Sequence, residues 1–396
     1  MKQHLQKLKV ISQLFGVIFI LTGFVVVVYL VNRIVIRNYN FDFLKTFFTI
    51  SFIATVVYFG ILLIRDYTRI INLSLLISSM AITLLLMEIV LSTGYFDNLD
   101  SDKPVWIPYR YKLINEEINK EHHLKSAKNK FGFNDIRREY YRKSKDQIRI
   151  AVMGDSFIWG AAVEDSVIWS HKLQKKFNDH SLNVEILHWG VSNWSSKDER
   201  DFLYNNGYKF DINMIIVGVV VNDVDSGKFP LKIFINRYGI FYKILQRTIL
   251  KIFPNSISFI IDYLNAFSNN YLGYGYENWL KLNYEKENLL IWRDVIQDIL
   301  AFGKEHQIEI LFILTPENRS PSIKNYFKTL ETILTGLDAN VINLYPVIVN
   351  RLEKYSNRQL WANPADGHPG SKVTKIYAEY TFGYLLNSGL IEQLTF

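Results

Sequence analysis

The chain has 396 residues, no cysteine and a formal net charge of +7. The lack of cysteine excludes disulfides, a cysteine nucleophile and thiolate metal sites. With no long basic block and no zinc-finger spacing, nucleic acid is not an expected partner. Hydrophobic residues make up 49% of the chain and crowd toward the N-terminus, so one uniform globular domain is not expected. A mildly basic membrane protein facing anionic lipid or glycan is the plainer reading.

In chain order, Val10–Val31 comes first and carries no charge. It is long enough to cross a bilayer, which takes about 20 helical residues. It is too long for a signal-peptide core and is followed by no clear small-residue cleavage site. Thr46–Ile64 is a second charge-free run, set between Lys45 and Arg65. Ile70–Leu91 is a third, with Glu88 its one ionisable residue. A carboxylate deep in a membrane would suggest function. The place of Glu88 near the end of the run favours the interface instead. The sequence thus predicts a membrane anchor over 1–93 with three transmembrane helices. Lys2, Lys7, Lys9, Arg65 and Arg69 on one side balance Arg33, Arg37, Lys45, Lys103, Arg110 and Lys112 on the other, so the positive-inside rule does not set the orientation.

Residues 94–147 are polar and aromatic with mixed charge and read as a linker or stalk. From 148 to 396, short apolar runs alternate with amphipathic stretches. Candidate strands are Ile148–Met153, Asn183–Trp189, Asn213–Val221, Ile308–Leu314 and Val341–Tyr345. Helical patterns fall at about 166–177, 198–205, 285–305 and 323–334. Strands with little alternation belong to parallel sheets covered on both faces, and strand and helix in turn predict a doubly wound α/β domain. The stretch from 229 to 284 interrupts the rhythm. It is rich in aromatics, among them Phe234, Tyr242, Phe259, Tyr271 and Trp279. It reads either as a lid or acceptor-binding surface or as an extra helical layer on the sheet.

Four places carry the chemistry. The first strand stops at Gly154-Asp155-Ser156, which sets a hydroxyl at the carboxyl edge of the sheet, where open α/β sheets bind ligands. Alone, Ser156 reads as readily as a helix cap. Gly190 follows the second strand, and an uncrowded backbone N–H there can face a developing oxyanion. It can equally be a turn glycine. Asn222 closes the third strand, where its amide can donate to the same oxyanion or simply start a turn. Asp366-Gly367-His368-Pro369 lies beyond the fifth strand. His368 can take the serine proton, and Asp366 can fix its tautomer. His4, His122, His123, His171, His180 and His306 sit in polar or helical contexts and read as surface, and His188 reads as packing. No G-x-S-x-G elbow and no H-E-x-x-H is present, and no metal or cofactor is expected.

These four blocks, in this order, resemble those of the SGNH hydrolases, also called the GDSL esterases and acyltransferases. The resemblance runs from about Asn129 to the C-terminus. Gly154-Asp155-Ser156-Phe157 matches the first block, Gly190 the second, Asn222 the third, and Asp366 with His368 the last. Asn129-Lys130-Phe131-Gly132 through Arg137-Arg138-Glu139 also resembles membrane-tethered and secreted members. Three positions depart from the family pattern. Val220 stands where a glycine is usual and His188 where an asparagine is common. Asp366 and His368 are two apart rather than three.

The resemblance implies a flavodoxin-like doubly wound parallel sheet, the SGNH hydrolase fold. It implies a Ser156–His368–Asp366 triad and an oxyanion hole of Ser156, Gly190 and Asn222. The activity implied is that of a serine esterase or O-acyltransferase, with O-acetyl the expected acyl group, acting on an envelope glycan outside the cytoplasm. The expected partners are the lipid bilayer, an acylated glycan or lipid and, for transfer, a membrane acyltransferase supplying the acyl donor. Two other readings stay open. One is a lipid-directed esterase, lysophospholipase or thioesterase. The other is a catalytically silent, membrane-anchored glycan-binding or scaffold subunit.

Overall fold

The computed structural model describes residues 68–93, 108–135, 143–144, 146–224, 250–262 and 276–394, with backbone alone over 68–78, at 250 and over 276–277. The apolar runs Val10–Val31 and Thr46–Ile64, His4, and Arg137–Glu139 lie outside the described residues. So does most of the 229–284 stretch, including Phe234, Tyr242 and Tyr271. Among the described residues no helix is long and apolar enough to cross a membrane.

The chain divides into two compact units, 1–93 with 232–257 and 94–231 with 258–396. In the first, helix α1 (Thr68–Ser92) covers the third apolar run. The Glu88 carboxylate accepts the backbone N–H and side-chain amide of Asn255 at 3.1 and 2.9 Å. It also accepts the N–H and hydroxyl of Ser256 at 2.8 and 3.0 Å. A carboxylate on the first N–H groups of the helical stretch at 254–262 meets both their unfilled donors and the helix dipole.

The second unit opens with α2 (Tyr109–Lys128), inside the stretch read as a stalk. There follow β1 (Ile148–Gly154), α3 (Ser156–Trp159), α4 (Trp169–Asp179), β2 (Val184–Gly190), α5 (Ser196–Asn206) and β3 (Met214–Val219). Then come α6 (Tyr276–Asn283), α7 (Lys286–His306), β4 (Glu309–Leu314), α8 (Pro321–Thr335), β5 (Asn340–Asn343) and α9 (Tyr345–Arg351). The chain closes with α10 (Asn357–Leu360), β6 (Trp361–Asn363), β7 (Asp366–Pro369), α11 (Ser371–Asn387) and α12 (Leu390–Gln393).

The first five strands form one parallel sheet in the order β2-β1-β3-β4-β5. This is the doubly wound α/β fold expected from the alternating runs. Alternate strand residues enter two separate cores, as a two-residue side-chain period requires. Ile148, Ile150 and Val152 of β1 join Ile216 and Ile313 on one face. Ala151 and Met153 join Val217 and Phe312 on the other. The first face is covered by α4 through Trp169, Leu173 and Phe177, and by α9 and α11. The second is covered by α5, α7 and α8, where Ile323, Phe327, Leu330 and Leu334 recur at helical spacing. Each such side chain contributes roughly 1.5–3 kcal/mol when fully buried. Trp279 and Leu280 of α6 lie in the second core, so this part of the aromatic stretch packs as structure.

The strand order reverses between β1 and β3, and in such sheets the crevice at that point is the natural ligand site. The expected third strand through Val221 ends earlier, at Val219, because Val220 to Asp223 make a turn. The Asp223 carboxylate accepts the N–H of Val220 at 2.8 Å, and the N–H of Asp223 donates to the Val220 carbonyl at 3.2 Å. The fifth strand stops at Asn343, and Tyr345 begins α9. Antiparallel β6 and β7 pair Asn363 with Asp366, a hairpin that short polar segments did not reveal.

Candidate active site

Gly154 ends β1, and Asp155 caps the short helix α3 by accepting the Phe157 N–H at 2.9 Å. That cap sets Ser156 at the first helical position, at the carboxyl edge of the sheet. On either side, β2 ends at Gly190, in register with Gly154, and β3 leads to Asn222. The Ser156, Gly190 and Asn222 positions therefore come from three adjacent strand ends. The fourth element arrives from far along the chain. The β6–β7 hairpin brings His368 Nε2 to 2.9 Å from Ser156 Oγ. On the other side of the ring, His368 Nδ1 hydrogen-bonds Asp366 Oδ1, which also accepts the His368 backbone N–H at 3.0 Å. The two-residue spacing of Asp366 and His368 thus closes the bond within one strand. A carboxylate only accepts, so Nδ1 carries the proton and Nε2 is left to face the hydroxyl when the ring is neutral.

Three sequence-predicted residues, Ser156, His368 and Asp366, form a continuous chain of hydrogen bonds. Asn222 is adjacent, its Nδ2 donating to Asp155 Oδ2 at 3.3 Å. Gly190 is pressed against the backbone of α3, where a Cβ would fall 2.2 Å from the Trp159 nitrogen. A side chain at 190 would push α3, and Ser156 with it, off the sheet edge. His188, at the position where the family pattern favours asparagine, is buried. Its Nδ1 hydrogen-bonds Ser170 Oγ at 2.6 Å, away from Ser156. His122, expected at the surface, is instead buried, with Nε2 at 2.8 Å from the Val163 carbonyl. The cause is α2, which packs onto the loop after α3.

Charge is distributed unevenly. Burial pushes the Asp155 carboxyl up. Burial also acts to raise Asp366, but the hydrogen bonds and charge of His368 outweigh it and hold this carboxyl below its usual range. Burial alone would favour a neutral His368. Asp366, with the charges of Asp155 and Glu317, holds the imidazole pKa above its ordinary value. Residues missed by sequence reasoning complete the surroundings. Glu317 follows β4 and is pushed up to about 7 by burial, with Asn318 Nδ2 donating to its Oε1 at 3.0 Å. Its loop is held by the Tyr377 hydroxyl on the Pro316 carbonyl at 2.7 Å. The signal available was its position, an acid just past the end of an apolar strand beside β3. Glu199 on α5 is wholly buried and its carboxyl is raised by burial, with the charge of Asp155 adding to the effect. Among the described residues no cluster of ligating side chains could hold a metal ion.

No family model matches the chain, and no curated protein matches it. Solved structures similar to it include the acetyl xylan esterase AlAXEase, at 12% identity and TM-score 0.37 over 60% of this chain and 100% of that one. AlinE4, an SGNH-hydrolase family esterase, is similar at 13% identity and TM-score 0.33 over 62% and 98%. A family 3 carbohydrate esterase of Clostridium thermocellum is similar at 13% identity and TM-score 0.38 over 63% and 100%. The fold described above rests on this chain's own strand order and register, and the site on its own distances.

Proposed function

We propose that the protein is a serine-dependent acyl-ester hydrolase or O-acyltransferase. The observation that carries this is the run Ser156 Oγ–His368 Nε2 at 2.9 Å, with His368 Nδ1 bonded to Asp366. In the reaction, Nε2 takes the hydroxyl proton as Oγ attacks the ester carbonyl, and Asp366 stabilises the imidazolium that forms. Backbone N–H groups of Ser156 and Gly190 and the amide of Asn222 are the oxyanion donors in this scheme. One such donor is typically worth about 2.7–4 kcal/mol in the transition state. The tetrahedral intermediate collapses, the imidazolium gives its proton to the leaving alcohol, and an acyl-Ser156 ester remains. Water or a sugar hydroxyl, deprotonated by the same Nε2, then takes the acyl group.

In this reading the substrate is an O-acylated, most simply O-acetylated, envelope glycan, and the domain works outside the cytoplasm on a membrane anchor. The charge-free runs Val10–Val31 and Thr46–Ile64 support the anchor. So do the exposed apolar side chains Met80, Ile82, Leu85, Leu86, Ile89 and Val90 of α1. Transfer rather than hydrolysis would need an acyl donor supplied by a membrane acyltransferase.

The test is Ser156→Ala in the full-length protein. It should lose fluorophosphonate labelling and short-chain esterase activity by about 10⁴-fold or more while keeping its unfolding transition. Mass spectrometry of envelope glycans and lipids from cells carrying each form should show one acylated glycan changing. A change confined to lipid esters would favour a lipid-directed hydrolase. A folded wild-type domain that never labels would support the silent scaffold.

A further inference from the structure

Asp366 has two carboxylate oxygens, and His368 uses one of them. Oδ1 takes both the ring Nδ1–H and the backbone N–H of His368. Oδ2 accepts from Asn115 Nδ2 at 3.3 Å. Asn115 belongs to α2, which precedes the sheet domain in sequence, yet it is buried at 9% exposure. Its own oxygen accepts the side-chain amide of Asn363 on β6, and Asn363 stands opposite Asp366 in the hairpin. The amide orientation is fixed by chemistry. Asp366 can only accept, so the NH₂ end of Asn115 must face it.

Asn115 is the first member of a polar row along one face of α2. Asn119 Oδ1 accepts the Ala162 N–H at 2.8 Å, and His122 Nε2 meets the Val163 carbonyl at 2.8 Å. Ser126 Oγ accepts the Trp159 indole N–H at 3.0 Å. The row falls at helical spacing, so one rigid element grips the loop after α3 at two points, Trp159 at the end of α3 at a third and the carboxylate behind His368 at a fourth. Polar residues on this face would ordinarily be a solvated surface, and here they are turned into the domain.

We propose that Asn115 is a positioning residue of the Ser156–His368–Asp366 system, aiming Asp366 at His368 from α2. This rests on the serine hydrolase reading given above. The Asn115 N–H fixes the plane of the Asp366 carboxylate and supports its negative charge, so that Oδ1 stays on His368 Nδ1. Asn363 aims Asn115 in turn.

The experiment is a double-mutant cycle on the full-length protein in detergent, reading acylation by p-nitrophenyl acetate across pH. Asn115→Ala should lower kcat by roughly tenfold with KM changed by less than about twofold, because only the attacking system is disturbed. In an Asp366→Ala background the same substitution should cost nothing further, since the group it acts through is gone. Asn115→Asp keeps the shape but sets a second negative charge beside Asp366. It should hold the imidazolium to higher pH and move the acid limb of kcat/KM upward. If Asn115→Ala does not fold, Asn363→Ala takes its place in the cycle. Additive losses in the cycle, or an acid limb unmoved by Asn115→Asp, would overturn the proposal. Failure of the underlying reading would show separately, as full activity in Ser156→Ala.

Discussion

Asp155 Oδ2 lies 3.1 Å from the hydroxyl of Ser156, the next residue in the chain. The same hydroxyl lies 2.9 Å from His368 Nε2. A serine hydroxyl has one proton to give, so the two acceptors compete for it. With a neutral His368, Nε2 accepts and the hydroxyl is directed for deprotonation. With His368 protonated, Nε2 becomes a donor and the hydroxyl turns to Asp155. One buried carboxylate thus caps α3, holds the Asn222 amide and offers the serine a resting partner.

Asp155→Asn should separate these roles. The new side chain can still accept from Phe157 N–H, so α3 keeps its cap and the unfolding midpoint should move little. Its NH₂ end faces the Asn222 amide and the serine hydroxyl, where an acceptor is needed. Loss of the donor-aligned Asn222 should cost about 100-fold in kcat, at the low end of the range for an oxyanion donor. Removal of the negative charge lowers the His368 pKa, because Asp155 is one of the charges that holds it up. The base must be neutral to act, so the acid limb of kcat/KM should move to lower pH. A limb that moves upward would contradict the placement of that charge.

Gly190→Ala tests the seating of α3. A Cβ there would lie 2.2 Å from the Trp159 nitrogen and 2.4 Å from the Ile158 carbonyl carbon. Both are backbone atoms, which cannot swing aside as a side-chain end can. Overpacking of this kind costs about 1–3 kcal/mol, read by denaturant unfolding. The activity loss should exceed the unfolded fraction, because the element displaced carries Ser156. Gly383→Ala is the control. Gly383 sits inside α11 with nothing within 4 Å of its Cβ position, and there alanine should stabilise by roughly 0.5–1 kcal/mol. Equal effects at the two positions would mean that α3 is not seated on Gly190.

The sheet was legible because Ile148–Met153, Met214–Val221 and Ile308–Leu314 are apolar almost throughout, as strands buried on both faces must be. The site residues were legible where a strand end and a chemically able side chain coincide, as at Ser156 and Asn222. The β6–β7 hairpin was not, because Trp361–Asn363 and Asp366–Pro369 are too short and polar for a period to show. The packing of α2 was hidden for a related reason. Its inward face is a row of Asn, His and Ser, which reads as solvated until their partners at Trp159, Ala162 and Val163 and on β7 are in place. Burial of Glu199 and Glu317 is equally silent in composition, since carboxylates in sequence read as surface.

Glu317 gives the pH dependence its sharpest test. Its carboxyl is raised from an ordinary 4.5 to about 7, first by burial and in small part by Asp155, against the pull of His368 and Asn318. The folded state therefore holds this proton more tightly than the unfolded chain does. Stability from this group is present below about pH 4.5, falls as pH rises through that interval, and is gone above about 7. Glutamine mimics the neutral carboxyl at every pH. Glu317→Gln should match the wild type near pH 4 and exceed it at pH 8. Each pH unit is worth about 1.4 kcal/mol, and partial exposure of the side chain trims the difference to roughly 1–2 kcal/mol. Denaturant unfolding at the two pH values reads this directly, and a difference that does not grow with pH would show that Glu317 titrates as a surface acid. The same variant removes a negative charge from the surroundings of His368, so its acid limb of kcat/KM should also shift downward.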